Sequence, residues 1–505
     1  MSRHDTICAI ATAPGTSAIA VIRISGAESH SIAHLIFRRN GKILNVNEIE
    51  PYKVYYGEIF DSVPDDKPMV DDALVTFFKA PHSYTGEDSV EISCHGSEFV
   101  QQKILELLCT RGCRLAQPGE FSKRAYINGK MDLAQAEAVA DLIASQNEAE
   151  HRIAVNQMKG GFSNELRDVR TELVDMTSLL ELELDFSEED VEFADRTKLY
   201  ELLDTALKHI NKLTDSFRMG NAIKHGIPVA IVGETNTGKS TLLNAILGEE
   251  RAIVSDIEGT TRDTIEETFN IEGTMYRFID TAGIRETSET IEKIGIERTF
   301  KKISEADIVI GLLDGTKPKK DIISAWKDIV KRVNVLKQKL IIMVNKNDIM
   351  DAATMFDLNN DYLDCMKPTY EKNIENNGGY MTDEYCYSIT GMDLYNIRGL
   401  VTFLYMSAKK PEDVERLKKS IRNRYTNMPK IDGNTTLVTN IRHFEALTHA
   451  KESLEQVKNG LDNKLSADLL AEDLRQALYH IGSITGEVTN GEVLNNIFGR
   501  FCIGK

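Results

Sequence analysis

The sequence predicts a multidomain protein that combines α/β and all-α architecture, with one α/β domain inserted in a helical domain. Strand-like and helix-like segments alternate over residues 1 to about 128. Segments with helical spacing of apolar residues follow from about Lys130 to Ile223 and return at Leu437. Between these helical parts, a glycine-rich loop around Gly238 joins an apolar strand to an amphipathic helix. The chain of 505 residues has room for about three domains.

The N-terminal segment contains three strand-like runs and one clear helix. Residues 19–25, 74–78 and 89–93 are strand-like, and residues 99–108 place apolar side chains on one side of a helix. Pro-Gly and Ser-Gly pairs separate such segments as turns. This pattern predicts a compact α/β domain, and its spacing alone indicates no catalytic residue.

The helical parts carry apolar stripes on both sides of the central α/β unit. The stripes consist of Leu133, Ala136, Val139, Leu142 and Ile143; Leu166, Val169, Leu173, Met176 and Leu180; Leu199, Leu202, Leu203, Ala206, Ile210 and Leu213; Leu437, Ile441, Phe444 and Leu447; and Leu469, Leu470, Leu474 and Leu478. This arrangement predicts one helical domain interrupted by the α/β unit, and separate bundles in tandem are the alternative. The acidic segment 185–192 is expected to be a solvated connection rather than a metal site.

A phosphate-binding loop opens the central α/β unit. Residues 233–240 have the pattern G-x-x-x-x-G-K-[ST], with an apolar strand before them and a helix after them. Backbone N–H groups and the helix N-terminus attract phosphate, while Lys239 adds a charge and Ser240 a magnesium ligand. The predicted contacts are Asn236, Thr237, Gly238, Lys239, Ser240 and Thr241.

Two later stretches fit a sensor of the γ-phosphate. In residues 256–263, the hydroxyls of Thr260 and Thr261 stand where a loop closes over the γ-phosphate and magnesium. In residues 278–283, Asp280 reaches the metal through water and the N–H of Gly283 meets the γ-phosphate. The predicted nucleotide contacts are Ser255, Asp256, Ile257, Glu258, Gly259, Thr260, Thr261, Asp280, Thr281, Ala282 and Gly283.

Residues 341–348 are predicted to recognise the base. The carboxylate of Asp348 accepts hydrogen bonds from guanine N1–H and the exocyclic amine, whereas adenine presents a lone pair there, so GTP is favoured over ATP. A strand and turn ending at Lys409 can bind guanine O6 through backbone N–H groups, and a turn at 387–391 is the alternative. The turn ending at Lys409 is favoured because a helix follows it directly. The predicted base contacts are Asn345, Lys346, Asp348, Ser407, Ala408 and Lys409.

The hydrolytic water needs an unusual partner in this sequence. Ile284 follows the Asp-Thr-Ala-Gly segment, where a Ras-like protein has a glutamine that orients water. Asn236 offers an oxygen ligand for a monovalent cation near the β/γ-phosphates, and Glu292 offers a carboxylate that orients water. A surface position on a helix is the alternative for Glu292.

Composition favours a cytoplasmic protein without a membrane segment. No apolar run approaches the length of a membrane span, and the N-terminus lacks the apolar core of a secretory signal. The seven cysteines are scattered without C-x-x-C spacing, which is typical of reduced thiols. The net charge of −18 argues against nucleic acid coating the whole surface, so RNA contact requires a local basic patch.

Taken together, these motifs closely resemble the MnmE (TrmE) family of tRNA-modification GTPases over nearly the whole chain. The stretches that carry the resemblance include residues 23–26, 84–88, 118–121, 132–137, 233–240, 256–263, 280–283, 345–348 and 501–505. The resemblance implies a folate-binding, dimerising N-terminal domain at 1–128, a helical domain in two parts at 129–222 and 428–505, and a Ras-like GTPase domain inserted at 223–427.

The resemblance also implies an activity and its partners. The family comprises potassium-activated, cytoplasmic GTPases that dimerise and assemble with an MnmG-type flavoprotein into a heterotetramer. Together they add a carboxymethylaminomethyl-type group at C5 of the wobble uridine, position 34, of certain tRNAs. A tetrahydrofolate derivative, of the 5-formyl or 5,10-methylene type, is the implied one-carbon cofactor.

By matching motif, the resemblance assigns residues to each ligand. It implies folate binding by Arg23, Glu91, Lys130 and Lys505; potassium binding by Asn236, Ser255, Ile257 and Thr260; magnesium binding by Ser240 and Thr261; and water orientation by Glu292. The chain departs from the family in roughly forty extra residues before Ser407, expected to be a surface insertion. Ser255 also stands where the family often has Thr, and both side chains offer an oxygen ligand.

A GTP-gated assembly factor that binds RNA without performing chemistry is the alternative function. Such a factor is expected to carry an appended basic RNA-binding module. The sequence offers only Lys409 and Lys410 and the basic run 416–424, which belong to the predicted last helix of the GTPase domain. The modification enzyme is therefore favoured.

Overall fold

The chain forms two compact units, one of which is discontinuous in sequence. The first comprises Met1–Gln146, His151–Asp215 and Gly433–Lys505, and the second comprises Asn147–Glu150 and Ser216–Asp432. The structure is a computed structural model that describes residues 5–39, 42–43, 49–61, 69–145, 147–185, 196–248, 267–271, 274–279, 303–334, 337–350, 401–422, 436–489, 491–499 and 501–504.

An eight-stranded sheet forms the N-terminal part of the first unit. Its strands are β1 (Ile7–Ile10), β2 (Ile19–Ser25), β3 (Phe37–Arg39), β4 (Lys42–Ile43), β5 (Val54–Phe60), β6 (Met69–Phe78), β7 (Ser89–His95) and β8 (Arg114–Leu115), in the order β4-β3-β5-β6-β7-β2-β1-β8. All neighbours are antiparallel except β1 and β8. In β2 the alternating residues Ala20, Ile22 and Ile24 are fully buried, because successive side chains of a strand point to opposite faces.

Helices α1 (Ser29–Ile36) and α2 (Glu98–Thr110) pack on this sheet. The predicted apolar side of α2 is confirmed, since Ile104, Leu107 and Leu108 are buried in the sheet's core. The three predicted strands are also present, with β6 and β7 longer than their alternating patterns indicated.

Further helices lie wholly or in part in the first unit. They are α3 (Glu120–Ile127), α4 (Leu133–Ala144), α5 (Glu148–Met158), α6 (Gly161–Asp185), α7 (Arg196–His225), α11 (Ile441–Asp462), α12 (Ala467–Thr485) and α13 (Gly491–Phe498). Helix α12 packs against α11, α6 and α4, so helices from both ends of the sequence share one core. Separate tandem bundles, the alternative arrangement, are therefore not what forms. None of the helices in the described ranges is long and apolar enough to cross a membrane.

A buried polar network joins α4 to α11. Both Arg442 Nη2 and His443 Nε2 lie 2.7 Å from Glu137 Oε2, and Asn440 Nδ2 donates to Glu137 Oε1 at 3.2 Å. Arg442 also donates to the backbone oxygen of Ser483 at 2.7 Å. Burial alone would raise the pKa of Glu137, but the charges and hydrogen bonds of His443 and Arg442 lower it to about 2.

Four residues predicted on apolar helix faces lie elsewhere. Leu437 precedes α11, because Asn440 caps that helix by accepting a hydrogen bond from Arg442 N at 3.0 Å. Ile143, Ile441 and Leu469 are on helices but are 48%, 56% and 52% exposed, so they face outward. The spacing predicted the helices correctly and extended their apolar faces too far.

The second unit contains a six-stranded sheet with helices on both faces. Its strands are β9 (Ile227–Val232), β10 (Glu267–Ile271), β11 (Thr274–Phe278), β12 (Ile308–Asp314), β13 (Lys339–Asn345) and β14 (Val401–Tyr405), in the order β10-β11-β9-β12-β13-β14. All neighbours are parallel except β10 and β11. The associated helices are α8 (Lys239–Leu247), α9 (Lys319–Val330) and α10 (Pro411–Arg422).

Strands β12 and β13 are buried along their whole length. Such continuous burial is expected of a parallel sheet covered on both faces. In open α/β sheets ligands bind outside the carboxyl ends of the strands. The loops that follow β9, β12, β13 and β14 therefore define the edge where a site is expected.

Candidate functional site

The phosphate loop connects β9 to α8 at this edge. Gly238 adopts φ +99° immediately before α8, and a Cβ there would collide with the side-chain amide of Asn345. A Cβ at Gly233 would collide with the backbone oxygen of Leu312 on the neighbouring strand. The loop thus needs glycine at both fixed positions of the motif because other elements approach its backbone closely.

Side chains of the loop fold onto its own backbone. Lys239 Nζ donates to the backbone oxygens of Gly233 at 2.8 Å and Glu234 at 2.6 Å. The buried Thr237 donates its hydroxyl to the oxygen of Glu234 at 2.9 Å. These contacts hold the ammonium of Lys239 over the loop that the sequence predicts to bind phosphate.

Asn345 links the phosphate loop to the turn after β14. Its Nδ2 donates to the backbone oxygen of Thr237 at 2.8 Å, and its Oδ1 accepts from Ala408 N at 2.9 Å. The side chain is buried, with 3% exposure, so both ends of its amide are used in protein contacts. Asn345 therefore aligns the two loops, and its role as a base contact stays a prediction.

The carboxylate of Asp348 is exposed beside that turn. A hydrogen bond with Ser407 lowers the pKa of Asp348, which keeps it a charged acceptor. Ser407 N donates to Asp413 Oδ2 at 2.8 Å, and Lys409 N donates to Ser407 Oγ at 3.3 Å. The turn and the carboxylate are therefore held next to each other, which agrees with their predicted contact with one base.

An ion-paired turn follows β12. Lys346 Nζ lies 2.7 Å from Asp314 Oδ2, and Lys317 Nζ lies 2.6 Å from Glu234 Oε2 in the phosphate loop. Burial alone would raise the pKa of Asp314, but hydrogen bonds from Lys346 and Thr316 hold it below its ordinary value. Sequence analysis did not predict this turn, although an acidic residue ending the strand beside β9 was a signal for it.

The first unit holds a separate group of predicted site residues. Arg23 and Glu91 face each other across β2 and β7, with Arg23 Nη2 donating to Glu91 Oε1 at 2.8 Å. The guanidinium lies 5.1 Å from the ring centre of Tyr84 and also donates to the backbone oxygen of Gly504 at 3.4 Å. Lys130 packs against Gly86 and donates to the oxygen of Pro81, so it contacts the segment that carries Tyr84.

Comparison with known proteins gives the same family for both parts of the chain. A family model described as the MnmE helical domain matches residues 133–502, and one described as the GTP-binding protein TrmE N-terminus matches residues 6–130. A tRNA modification GTPase MnmE from Bacteroides thetaiotaomicron is 48% identical over 504 residues, covering 99% of this chain and 100% of the relative.

The chain belongs to the MnmE family. A second member, from Flavobacterium johnsoniae, is 48% identical over 510 residues and covers 100% of both chains. Among solved structures, a GTP-binding protein from Sulfolobus solfataricus in complex with GDP is 16% identical. It covers 52% of this chain and 68% of its own at a TM-score of 0.25.

Membership of the MnmE family makes the chain a P-loop GTPase. Within the described ranges, the structure brings the phosphate loop, Asn345, Asp348 and the turn at Ser407 to one sheet edge. The remaining predicted residues lie outside those ranges: Ser255, Asp256, Ile257, Glu258, Gly259, Thr260, Thr261, Asp280, Thr281, Ala282, Gly283, Glu292 and Lys505, together with the rival turn at 387–391, the acidic segment beyond residue 185 and the extra segment 351–400.

Proposed function

We propose that this MnmE-family chain is a potassium-activated GTPase that modifies the wobble uridine of certain tRNAs together with an MnmG-type flavoprotein. The modification is a carboxymethylaminomethyl-type group at C5 of position 34. The observation that carries this proposal is the 48% identity, over 504 residues, to a protein named tRNA modification GTPase MnmE. That similarity spans the N-terminal and helical parts as well as the nucleotide loop, so a GTPase domain alone does not account for it.

In the proposed GTPase site, Lys239 exchanges its backbone partners for β- and γ-phosphate oxygens when nucleotide binds. The ammonium already lies over the loop, 2.8 Å from the oxygen of Gly233, so only its hydrogen-bond partners need to change. Ser240 stands at the first turn of α8, where its hydroxyl suits a magnesium ion. Thr261 is the proposed second protein ligand of that ion.

The proposed potassium ion would use oxygen donors of the same loop. Asn236 is exposed and has φ +63°, an unusual conformation for a residue other than glycine. Such a conformation persists where the surroundings require it, and a carbonyl oxygen on a fixed loop suits a monovalent cation. Ser255, Ile257 and Thr260 are the other proposed ligands, and Glu292 is the proposed orienting group for water.

A tetrahydrofolate derivative is the proposed ligand of Arg23, Glu91, Lys130 and Lys505. The chemistry of the described side chains fits such a molecule. Arg23 offers a cation for a carboxylate tail, and Glu91 offers an acceptor for the N–H edge of a pterin. Their mutual contact at 2.8 Å and the neighbouring ring of Tyr84 give a charged pair beside an aromatic surface.

The same proposal includes homodimerisation, assembly into a heterotetramer and a cytoplasmic location. It also includes the domain limits 1–128, 129–222, 223–427 and 428–505. The first unit, which combines N-terminal and C-terminal segments, supports a discontinuous helical domain around an inserted one. The boundary of the first unit at Asp215 falls within α7, so the limit at residue 222 depends on how that helix is divided.

The test is nucleoside analysis of tRNA from a strain that lacks this gene. We expect C5-modified wobble uridines to disappear from the affected tRNAs and to return when the wild-type gene is restored. Unchanged wobble uridines would reject the modification role and leave a GTP-gated assembly factor as the better explanation. GTP hydrolysis by the purified protein in potassium and in sodium tests the catalytic part separately.

A further inference from the structure

The turn after β12, residues 314–318, contacts both loops of the nucleotide site. Asp314 pairs in parallel register with Asn345, and Gly315 N donates to the backbone oxygen of Asn345 at 2.9 Å. At its other end, Lys317 pairs with Glu234 of the phosphate loop. This turn, which we name the β12 turn, therefore lies between the base-recognition loop and the phosphate loop.

Asp314 is the fixed point of the β12 turn. Its side chain is 8% exposed, and Oδ1 accepts from Thr316 N at 3.0 Å and from Thr316 Oγ1 at 2.7 Å. Its other oxygen, Oδ2, accepts from Lys346 Nζ at 2.7 Å. One carboxylate thus orders its own turn with one oxygen and holds the ammonium of Lys346 with the other.

Lys346 lies between the two residues that define the base-recognition loop, Asn345 and Asp348. Its backbone has φ +65°, so the chain reverses sharply there, and its side chain is 31% exposed. A long lysine side chain has considerable rotational freedom, and a short contact to a buried carboxylate removes much of it before any ligand binds. A ligand that packs along the methylene groups of Lys346 meets a preorganised surface.

The pair between Lys317 and Glu234 plays a smaller part. Its side chains are 43% and 51% exposed, so solvent and salt screen the attraction. The buried carboxylate of Asp314 is less screened. Its ion pair with Lys346 is therefore the stronger of the two ion pairs of the β12 turn.

We propose that Asp314 is a positioning residue of the guanine-nucleotide site, acting through the ammonium of Lys346. The inference rests on the proposed nucleotide site and adds a residue to it. Asp314 lies outside the G-x-x-x-x-G-K-[ST] and Asn-Lys-x-Asp motifs, and its carboxylate sets the orientation of Lys346, one of the predicted base contacts. Its loss lowers nucleotide affinity because the free lysine has to be ordered at the moment of binding.

The experiment compares D314N with the matched control T316A in the full-length protein. Asn keeps an oxygen for the hydrogen bonds of Thr316 and turns an amide N–H₂ toward the ammonium of Lys346, so a donor faces a donor and the attractive contact is lost. T316A removes the hydroxyl on the same carboxylate and leaves the contact to Lys346 intact. We measure the dissociation rate and Kd of a fluorescent GDP, and KM against kcat for GTP.

D314N is expected to weaken GDP binding about tenfold, the size of effect expected when two residues in direct contact, here Asp314 and Lys346, are uncoupled. KM for GTP should rise by a larger factor than kcat falls. T316A is expected to stay within about twofold of wild type. In a K346A background, D314N should have no further effect on GDP binding, because Asp314 acts through that lysine. D314E keeps the charge and should recover most of the affinity.

Several outcomes overturn the inference. The inference is wrong if a folded D314N protein binds GDP with wild-type affinity. It is also wrong if D314N and T316A lose equal GDP affinity, or if the effects of D314N and K346A on GDP affinity are fully additive. If D314N does not fold, the same cycle is measured with the smaller neutral variant D314S and K346A, and wild-type GDP affinity of D314S, or an effect of D314S that persists without Lys346, rejects the proposal. A wild-type protein that fails to bind GDP would reject the proposed nucleotide site itself, which is a different result.

Discussion

Replacing Glu137 by Gln removes a buried charge at the point where helix α4 meets helix α11. In the wild-type protein the carboxylate contacts Arg442 and His443, each at 2.7 Å, and its side chain is 12% exposed. The variant has nearly the same shape but leaves two basic side chains without their counter-charge. We expect this loss to destabilise the helical part of the first unit.

The size of the effect follows from the pKa of Glu137. The carboxyl pKa lies at about 2 in the folded protein, against an ordinary value of 4.5. At about 1.4 kcal/mol for each pH unit, this difference contributes about 3 kcal/mol to the free energy of unfolding. Because the folded pKa is the lower one, the contribution is complete above pH 4.5 and is lost as pH falls toward 2.

Hydrogen exchange detected by mass spectrometry measures the opening free energy of individual helices. A local measurement is needed because a chain with two compact units need not unfold in one step. For amides of α4 and α11, E137Q should lower the opening free energy by about 3 kcal/mol at pH 7, and by less than about half of that at pH 3. The matched control is E181Q, which breaks the exposed pair of Glu181 with Arg475 at 3.1 Å and should leave exchange unchanged. Equal protection in E137Q and wild type, or a difference that does not decline with acid, would refute the reasoning.

Three further predictions concern the GTPase reaction. Asn236→Ala should abolish the stimulation of GTP hydrolysis by potassium relative to sodium, because the side-chain oxygen proposed as a ligand is removed; initial rates in each salt measure this. Glu292→Ala should lower kcat by roughly 10²- to 10⁴-fold while sparing nucleotide affinity, since the residue is expected to orient water; single-turnover hydrolysis and GDP binding separate the two. Asp348→Asn should reduce the preference for guanine over xanthine nucleotides, because an amide can donate to the xanthine oxygen; competition binding checks it.

Each of these three has a result that contradicts it. Full potassium stimulation in the Asn236 variant would remove the cation assignment. A normal turnover in the Glu292 variant would return that residue to a surface role. Undiminished discrimination against xanthine nucleotides by the Asp348 variant would show that another group recognises the base.

Local structure followed from the sequence where one physical rule dominated. Strand β2 occupies residues 19–25 as predicted, because one face is buried and the alternation is regular. The apolar spacing extends the predicted helix back to Leu437, because spacing does not reveal that Asn440 caps α11. Leu469 fits the helical period but faces outward, which only the packing of α12 against its neighbours decides.

The sequence predicts the motifs of the candidate site, but it does not predict the contacts that hold the loops of the site in place. The phosphate loop and the Asn-Lys-x-Asp segment are contiguous patterns, so residue spacing alone indicated their chemistry. The amide of Asn345 and the carboxylate of Asp314 act by contacts across strands, which have no fixed sequence spacing. The network around Glu137 likewise joins residues 305 and 306 positions apart. Only the fold brings such groups together.

The contact between Arg23 and Gly504 has a consequence for biosynthesis. The two residues are 481 positions apart, yet both belong to the first unit. At roughly 5 to 20 residues per second, a ribosome needs about 24 to 96 s to make the intervening chain. Strands β2 and β7, which carry Arg23 and Glu91, are therefore synthesised long before Gly504, and the contact of Arg23 with Gly504 forms only after residue 504 has been made.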